Sequence, residues 1–288
     1  MPRIVYVNGR YIPYREASVH IEDRGFQLAD SIYEVCEVRE RRFVDERRHL
    51  DRLERSLSEL DMAPPMGRES LRIIMREVTR AERFDNGLLY IQVTRGVARR
   101  DHAFPVPEVR PGLVVMAWSI DRQALDARRA LGVSVITVPE TRWARVDIKT
   151  TSLIANVLAK QAAHDRGAVE AWFVDRDGFI TEGASSNAWI VDEKGTLVTR
   201  TADNSILRGI TREVAKDAAR SGHITFEERK FTLAEAYAAS EAFLTSASND
   251  IMPIVKIDDR KVGNGEVGPI ARQLSEEFHS STELGKII

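Results

Sequence analysis

The chain has 288 residues, of which 43% are hydrophobic and 30% charged, with 17 Gly and 10 Pro. This length suggests two domains with a sizeable core, and the composition excludes collagen-like, low-complexity and disordered classes. The 42 basic and 44 acidic side chains give a net charge of -2. We therefore expect no nucleic acid partner, and small molecules or a second copy of the chain are favoured as partners.

The sequence carries no targeting signal that we can identify. Residues 1–17 lack the basic start and apolar stretch of a signal peptide, and no apolar run approaches the ~20 residues of a membrane span. Cys36 is the single cysteine, so an internal disulfide is excluded and a core position is predicted for its side chain. We expect a cytoplasmic protein with no membrane partner.

The first third of the chain predicts strands followed by helices. Residues 4–12 hold an Asn-Gly pair between short apolar runs, which is typical of a β-hairpin. Residues 32–38 alternate apolar and polar side chains, as a half-buried strand does. Leucines recur at helical spacing within 48–62, and a similar apolar stripe predicts a second helix over 68–84.

A long loop is predicted between two apolar strands at 88–94 and 113–118. The intervening segment is polar and rich in proline, which gives a loop of about 17 residues. Long loops inside compact domains are usually functional. A polar linker at 119–125 is then predicted to join a small N-terminal domain, 1–118, to a larger domain, 126–288, that contains Lys149.

The second half mixes short strands, tight turns and helices. A strand is predicted at 133–138 and a helix at 150–166, followed by two hairpins with Asp-Gly and Lys-Gly turns. Further helices are predicted at 211–221 and from Thr232, where Glu235 completes a capping box. A strand follows at 242–245, and the last nine residues are expected to be frayed. The whole pattern indicates an α+β fold with mostly antiparallel sheets and flanking helices.

Two short segments are candidates for chemistry, whereas the common nucleotide, zinc and serine-hydrolase signatures are absent and no metal site is expected. Lys149 is the first lysine in the chain and lies between a strand-like run and a helix, beside Val146 and Ile148. It is either a surface lysine at an element boundary or a partly desolvated amine that can form a Schiff base. Glu182 ends an apolar strand and precedes small and hydroxyl residues, so it is either a pocket wall or an exposed turn residue.

The segments DIKTTSLIANVLAKQ and TEGASSN together resemble the signature of the two-domain fold-type IV pyridoxal 5′-phosphate enzymes, which include D-amino acid and branched-chain aminotransferases. The resemblance implies Lys149 as the Schiff-base anchor of the cofactor and Glu182 as the carboxylate on its pyridine nitrogen. Three more segments, RRHLDRLERS, SILRGITREV and FLTSASNDIMPI, resemble the family's phosphate-binding parts. The further cofactor-binding residues implied in this way are Arg52, Ser185, Leu207, Ile210, Thr211, Ser246 and Ala247.

Elementary chemistry agrees with the phosphate-binding assignments. A helix that starts after Gly209 offers N–H groups and a dipole to an anion, and Thr211 adds a hydroxyl. Arg52 offers a planar fork for phosphate oxygens, although an arginine on a solvated helix face is the other interpretation. Ala247 stands where the family often has Thr, so a hydroxyl contact is lost unless Ser246 or Ser248 supplies it.

The long loop indicates which branch of the family is involved. Its start, TRGVARRDHAFP, resembles the D-amino acid aminotransferase pattern, which implies that Arg100, His102 and Tyr33 bind the substrate carboxylate. In that family the loop enters the neighbouring subunit, which implies a homodimer with loop 96–105 in its partner's active site. Arg99 leaves the register open by one residue. Asp101 departs from the Asn expected there, and it could pair with Arg99 or weaken anion capture.

The predicted reaction is a ping-pong transamination from a D-amino acid to a 2-oxo acid such as pyruvate or 2-oxoglutarate. A branched-chain L-amino acid aminotransferase shares every implied cofactor residue but gives no reason for Arg100 and His102. Aminodeoxychorismate lyase shares the cofactor site and needs no amino acceptor. A non-enzymatic protein of the same fold is the remaining alternative, against which the presence of Lys149 and Glu182 argues.

Overall fold

The computed structural model describes residues 3–288. Besides a 3₁₀ turn at Tyr14–Glu16, its helices are α1 Arg24–Leu28, α2 Glu46–Glu59, α3 Arg68–Glu82, α4 Arg122–Leu131, α5 Ile154–Asp165, α6 Ile210–Ser221, α7 Leu233–Ala238 and α8 Pro269–Ser281. Its strands are β1 Ile4–Val7, β2 Arg10–Pro13, β3 Ser31–Arg39, β4 Arg42–Val44, β5 Gly87–Thr94, β6 Gly112–Ser119, β7 Val133–Pro139, β8 Glu170–Val174, β9 Ile180–Gly183, β10 Asn187–Val191, β11 Leu197–Thr199, β12 Phe226–Glu228, β13 Glu241–Ser246, β14 Asp250–Ile257, β15 Arg260–Lys261 and β16 Leu284–Ile287. Among residues 3–288, none of the helices has the length and apolar character needed to cross a bilayer.

The chain divides into two compact units. Unit 1 is formed by the chain up to Asp121 together with Ile148–Ser152 and Glu283–Ile288. Unit 2 is formed by Arg122–Asp147 and Leu153–Thr282.

Unit 1 is built on a seven-stranded antiparallel sheet with the order β16-β4-β3-β5-β6-β1-β2. The predicted hairpin is confirmed: Asn8 and Gly9 both have positive φ, 47° and 98°, as the tight turn between β1 and β2 requires. The leucine stripe of α2 packs into one buried cluster with α3 and with Cys36, whose core position is also confirmed. Helix α2 starts and ends slightly earlier than predicted, because the chain turns at Leu60 and Asp61 before the prolines.

Unit 2 is built on a nine-stranded sheet with the order β12-β11-β10-β13-β14-β7-β8-β9, and β15 pairs with β14. Three of its strand pairs are parallel, β11 with β12, β14 with β7 and β7 with β8, and the other pairs are antiparallel. The two predicted hairpin turns are confirmed, with Gly178 and Gly195 at φ 82° and 80°. The capping box of Thr232 and Glu235 is confirmed at the start of α7. The expected α+β class with mostly antiparallel sheets is therefore correct.

Two local predictions were wrong, each because a tertiary contact replaces the local preference. The helix predicted from 150 starts at Ile154, because the preceding residues pair with β3: the N–H of Tyr33 donates to the Lys149 carbonyl at 2.9 Å, and Thr150 bridges to Ile32. The chain end is not frayed, since β16 pairs with β4 and Ile288 is buried.

The boundary between the units, after Asp121, lies inside the predicted linker 119–125, where α4 begins at Arg122. The units nevertheless differ in composition from the predicted domains 1–118 and 126–288. Lys149 belongs to unit 1 with the rest of Ile148–Ser152, although the segments before and after this stretch, Arg122–Asp147 and Leu153–Thr282, belong to unit 2. The terminal segment Glu283–Ile288 returns to unit 1 as well. Both differences have the same origin, which is strand pairing to unit 1 by residues distant in sequence.

Candidate active site

Lys149 lies along the edge of β3 in unit 1. Its carbonyl accepts the N–H of Tyr33, and the Thr151 N–H donates to the Ser31 carbonyl at 3.1 Å, so the lysine is held between two strand-like contacts. The half-buried Lys149 side chain places Nζ 4.3 Å from the centroid of the Tyr33 ring. A ring face attracts a cation and excludes water on that side. The structure thus brings together two of the predicted site residues, Lys149 and Tyr33.

A chain of polar side chains supports this arrangement. Tyr33 stacks on Tyr90 with ring centroids 5.7 Å apart, and the Tyr90 hydroxyl donates to Gln92 Oε1 at 2.9 Å. Gln92 Nε2 donates to Ser31 Oγ at 3.2 Å, and the Ser31 and Thr151 hydroxyls are 2.5 Å apart. Burial, with a smaller contribution from Tyr33, raises the pKa of Tyr90 to about 12, so this phenol stays protonated at neutral pH.

Arg52 of α2 is buried in an ionic cluster of unit 1, which rules out a solvated helix face. Its Nε and Nη2 donate to the two oxygens of Glu34 at 2.7 and 2.9 Å, and His49 Nδ1 lies 2.8 Å from the same carboxylate. Burial alone raises the pKa of Glu34, but the Arg52 charge and the hydrogen bonds from His49 and Arg52 outweigh it and lower the pKa to about 2. Burial lowers the pKa of His49, so the neutral ring donates its Nδ1–H to Glu34.

Glu182 lies in β9 of unit 2, one residue before the end of the strand, and is 4% exposed. Arg142 Nη1 donates to its Oε1 at 2.5 Å, Asn187 Nδ2 donates to its Oε2 at 2.8 Å, and the Leu207 N–H donates to both oxygens at 3.1 Å. Burial raises the pKa of Glu182, and the opposing effects of Arg142 and the Leu207 N–H do not fully offset it. The interpretation of Glu182 as an exposed turn residue is therefore wrong.

Arg142 is shared between two carboxylates. Its Nε and Nη2 donate to Glu140 at 2.9 and 2.6 Å, while Nη1 contacts Glu182. Burial raises the pKa of Glu140, but Arg142 outweighs that effect and the pKa is lowered. The guanidinium of Arg142 also lies over the Phe173 ring at 4.4 Å. Arg142 thus donates from two nitrogens to Glu140 and from only one to Glu182.

Gly209 and Asn187 connect Glu182 to the start of α6. Asn187 Nδ2 also donates to the Leu207 carbonyl at 2.9 Å. A Cβ on Gly209 would lie 2.0 Å from Asn187 Oδ1, so only glycine fits between this side chain and the helix. The predicted residue Leu207 therefore reaches the Glu182 centre through its backbone.

The start of α6 and the turn after β13 offer donors that suit a phosphate. The N-cap residue Gly209 provides no side-chain cap to the helix, while Ile210 is half-buried and Thr211 is buried. At the turn, Ser246 Oγ accepts from Asn249 Nδ2 at 3.0 Å and lies 3.3 Å from Ser248 Oγ. Helix N–H groups and clustered hydroxyls are common phosphate ligands, so this donor set fits the phosphate of the implied cofactor.

The remaining predicted residues lie apart from the contacts described above. The Ser185 hydroxyl donates to Glu170 Oε2 at 2.7 Å, and Ser186 donates to the same oxygen at 3.0 Å. Ala247 is half-buried in the turn next to Ser246. Arg100 and His102 are exposed on the long loop between β5 and β6.

Four residues of these centres were missed by the sequence analysis: Glu34, His49, Arg142 and Asn187. Glu34 had a detectable signal, because it lies on the face of β3 that also carries the fully buried Ile32 and Cys36. A charged residue on such a face requires a buried partner. Arg142 and Asn187 gave no comparable signal, since they meet Glu182 only through the tertiary fold.

Comparison with known proteins identifies the class. The family model described as "Amino-transferase class IV" matches residues 31–257. The D-alanine aminotransferase of Staphylococcus haemolyticus is 40% identical over 97% of this chain and 98% of that protein. The corresponding protein of Staphylococcus aureus (strain MSSA476) is 38% identical over 98% of this chain and 99% of that protein.

Solved structures support the same fold. The branched-chain amino acid aminotransferase of Escherichia coli superimposes with a TM-score of 0.90 at 21% identity, covering 100% of both chains. The T.th. branched-chain amino acid aminotransferase complexed with N-(5′-phosphopyridoxyl)-L-glutamate gives a TM-score of 0.86 at 25% identity, covering 97% of this chain and 94% of that chain.

The fold is thus that of a fold-type IV aminotransferase. The chain belongs to the class IV aminotransferase family, and its cofactor is pyridoxal 5′-phosphate.

Proposed function

We propose that this aminotransferase moves the amino group of a D-amino acid to a 2-oxo acid such as pyruvate or 2-oxoglutarate by a ping-pong mechanism. The observation that carries the proposal is the match to D-alanine aminotransferases over nearly the whole chain. The loop between β5 and β6, with its exposed Arg100 and His102, supports the same branch.

Lys149 is the proposed covalent anchor of the cofactor and the base that moves the α-proton of the substrate. When bound, pyridoxal 5′-phosphate supplies an electron-accepting ring for this chemistry. The Tyr33 ring beside Nζ keeps water from one side of the amine, which favours a nucleophilic role. Glu182 is proposed to accept a hydrogen bond from the pyridine nitrogen, because it is a buried carboxylate that shares its cation, Arg142, with Glu140.

The proposed phosphate contacts are Arg52, the α6 start at Ile210 and Thr211, and the turn at Ser246 and Ala247. The uncapped helix start and the hydroxyl cluster support the last two groups. Glu34 holds Arg52 by two hydrogen bonds, so the guanidinium has a fixed orientation. We place further cofactor contacts at Ser185 and Leu207, next to Glu170 and Glu182.

The substrate carboxylate is proposed to bind Tyr33, Arg100 and His102. Loop 96–105 is proposed to act in the active site of a partner subunit, which makes the enzyme a homodimer. Once the carboxylate is clamped on one side, only one enantiomer directs its α-proton at Lys149 and still places its side chain. The proposal also puts the enzyme in the cytoplasm, in keeping with a single, buried cysteine.

A branched-chain L-amino acid aminotransferase is the second candidate. One observation favours it: a branched-chain aminotransferase from Thermoproteus uzoniensis with norvaline superimposes with a TM-score of 0.84 at 26% identity. The choice between the two candidates is a choice between D-alanine and L-leucine as the amino donor.

Single-turnover rates with these two donors test the proposal. We expect the wild-type enzyme to convert D-alanine and Arg100→Ala to do so about 10- to 100-fold less efficiently, since a charge-assisted bond to the carboxylate is lost. The cofactor absorbance should stay unchanged. Arg176→Ala, which removes an exposed arginine in the turn between β8 and β9, is the matched control. Conversion of L-leucine without D-alanine would replace this proposal by the branched-chain one.

A further inference from the structure

The long loop rests on a buried arginine that none of the proposed site roles uses. Arg24 is the first residue of α1 and is 3% exposed. Its Nη1 donates to the carbonyls of Asp101 and Ala103 at 2.7 and 3.1 Å, and its Nη2 donates to the carbonyl of His102 at 3.4 Å. One guanidinium therefore holds three consecutive backbone carbonyls of the loop.

Asp30 fixes Arg24 and ties it to a second arginine. Its Oδ2 accepts from Arg24 Nε and from Arg95 Nε, both at 2.8 Å. The guanidinium carbon of Arg95 lies 3.6 Å from the centroid of the Phe104 ring, and its Nη atoms donate to backbone carbonyls of Leu60 and Asp61. The loop is thus held at its backbone by Arg24 and at Phe104 by Arg95.

The same stretch of loop shows how its exposed side chains are presented. Asp101 Oδ1 accepts the N–H of Ala103 at 3.2 Å, which closes a tight turn across His102. The carbonyls of Asp101, His102 and Ala103 are directed at Arg24, while the side chains of Arg100 and His102 are exposed. A pair of side chains binds one carboxylate well only when the backbone that carries them is fixed.

We propose that Arg24, held by Asp30, is a positioning residue that fixes Arg100 and His102 as one carboxylate-binding pair. This inference rests on the proposed function, because it assumes that the loop binds the substrate carboxylate. Only arginine suits the position: the four contacts, to three carbonyls and one carboxylate, come from three nitrogens of one planar group, whereas a lysine carries its donors on a single nitrogen.

A mutant cycle on the dimeric holoenzyme tests the inference. Arg24→Lys is combined with the Arg100→Ala/His102→Ala background, and D-alanine single-turnover rates are measured against concentration. In the wild-type background, Arg24→Lys should raise the half-saturating D-alanine concentration about 10-fold or more, with unchanged cofactor absorbance. In the background without Arg100 and His102 it should have no further effect, because the pair it positions is gone.

Two controls keep the result interpretable. Arg200→Lys changes another buried arginine, which pairs with Asp175 and the Ile180 carbonyl, and should act equally in both backgrounds. Asp30→Asn releases Arg24 without altering it and should reproduce the pattern if Arg24→Lys folds poorly.

The inference is overturned if Arg24→Lys changes nothing, or if its effect is the same size in both backgrounds. If Arg100→Ala/His102→Ala itself leaves D-alanine conversion unchanged, the carboxylate role in the proposed function has failed instead.

Discussion

Glu34 in unit 1 and Glu182 in unit 2 are both buried carboxylates paired with an arginine, but their pKa values move in opposite directions. Arg52 donates to Glu34 from Nε and Nη2, and His49 adds a third donor, so the pKa of Glu34 falls to about 2. Glu182 shares Arg142 with Glu140, and burial raises its pKa.

The Glu34–Arg52 and Glu182–Arg142 pairs therefore differ in how fully the arginine compensates the buried carboxylate charge. A carboxylate with its own arginine and a neutral donor is fully compensated, which suits a group that holds the fold and orients Arg52. A carboxylate that shares its arginine remains incompletely compensated, which suits a group that is to receive another positive partner. On the proposed function that partner is the protonated pyridine nitrogen of the cofactor.

The largest expected effect is on stability, from Glu34→Gln. Loss of the carboxylate leaves Arg52 buried without its anion, which typically costs about 3–5 kcal/mol in unfolding free energy. Urea denaturation at neutral pH measures it. Glu59→Gln breaks an ion pair with Arg55 at the protein surface and should cost less than about 1 kcal/mol. If both variants lost the same unfolding free energy, Glu34 would stabilise the fold no more than a surface ion pair does.

The second effect is on catalysis, from Glu182→Gln. Because burial disfavours the ionised form and Arg142 keeps its two contacts with Glu140, Glu182→Gln should lower the unfolding free energy less than Glu34→Gln does. The single-turnover rate with D-alanine should fall on the order of 10²-fold, as for loss of a preorganised electrostatic contact. Near-wild-type turnover would contradict the role of Glu182, and a large stability loss would contradict the comparison with Glu34.

The smallest effect is a difference in pH dependence. The pKa of Glu34 is about 2 against an ordinary 4.5, so its contribution to stability is complete above the ordinary value and is lost as pH falls toward 2. The difference in unfolding free energy between wild type and Glu34→Gln should therefore decrease by roughly 1 kcal/mol when the pH is lowered from 7 to about 3.5. The pKa of Glu182 is raised, so protonation at low pH removes the cost of burying its charge. The unfolding free energy of the wild type relative to Glu182→Gln should therefore rise as the pH falls. Unfolding free energies of the three proteins at both pH values check the opposite signs.

Local patterns predicted much of the fold, because local interactions decide those elements. The Asn8-Gly9 turn, the leucine stripe of α2 and the capping box of α7 each depend on residues a few positions apart. The start of α5 and the strand β16 depend on distant partners. Thr151 meets Ser31 across 120 positions, and no periodicity within a window reports such a contact.

The residues of the candidate site also fall into those that a local sequence pattern indicates and those that only tertiary contacts bring into place. Lys149 and Glu182 could be predicted as site residues because each lies in a recognisable segment, whereas the place of Arg142 beside Glu182 is known only from the structure. Glu34 is an intermediate case: its place on the apolar face of β3 required a buried cation, but the sequence did not show that Arg52 was the one.

The path of the chain through Ile148–Ser152 limits how this enzyme can be dissected. A fragment starting at Arg122 would retain Lys149 but lose Ser31, Tyr33 and the rest of β3, which form its strand contacts in unit 1. The complementary fragment would keep those contacts and lack the lysine. Separate expression of the two pieces would therefore leave the proposed anchor Lys149 without its contacts to β3. Split-protein or domain-exchange designs should cut the chain elsewhere than after Asp121.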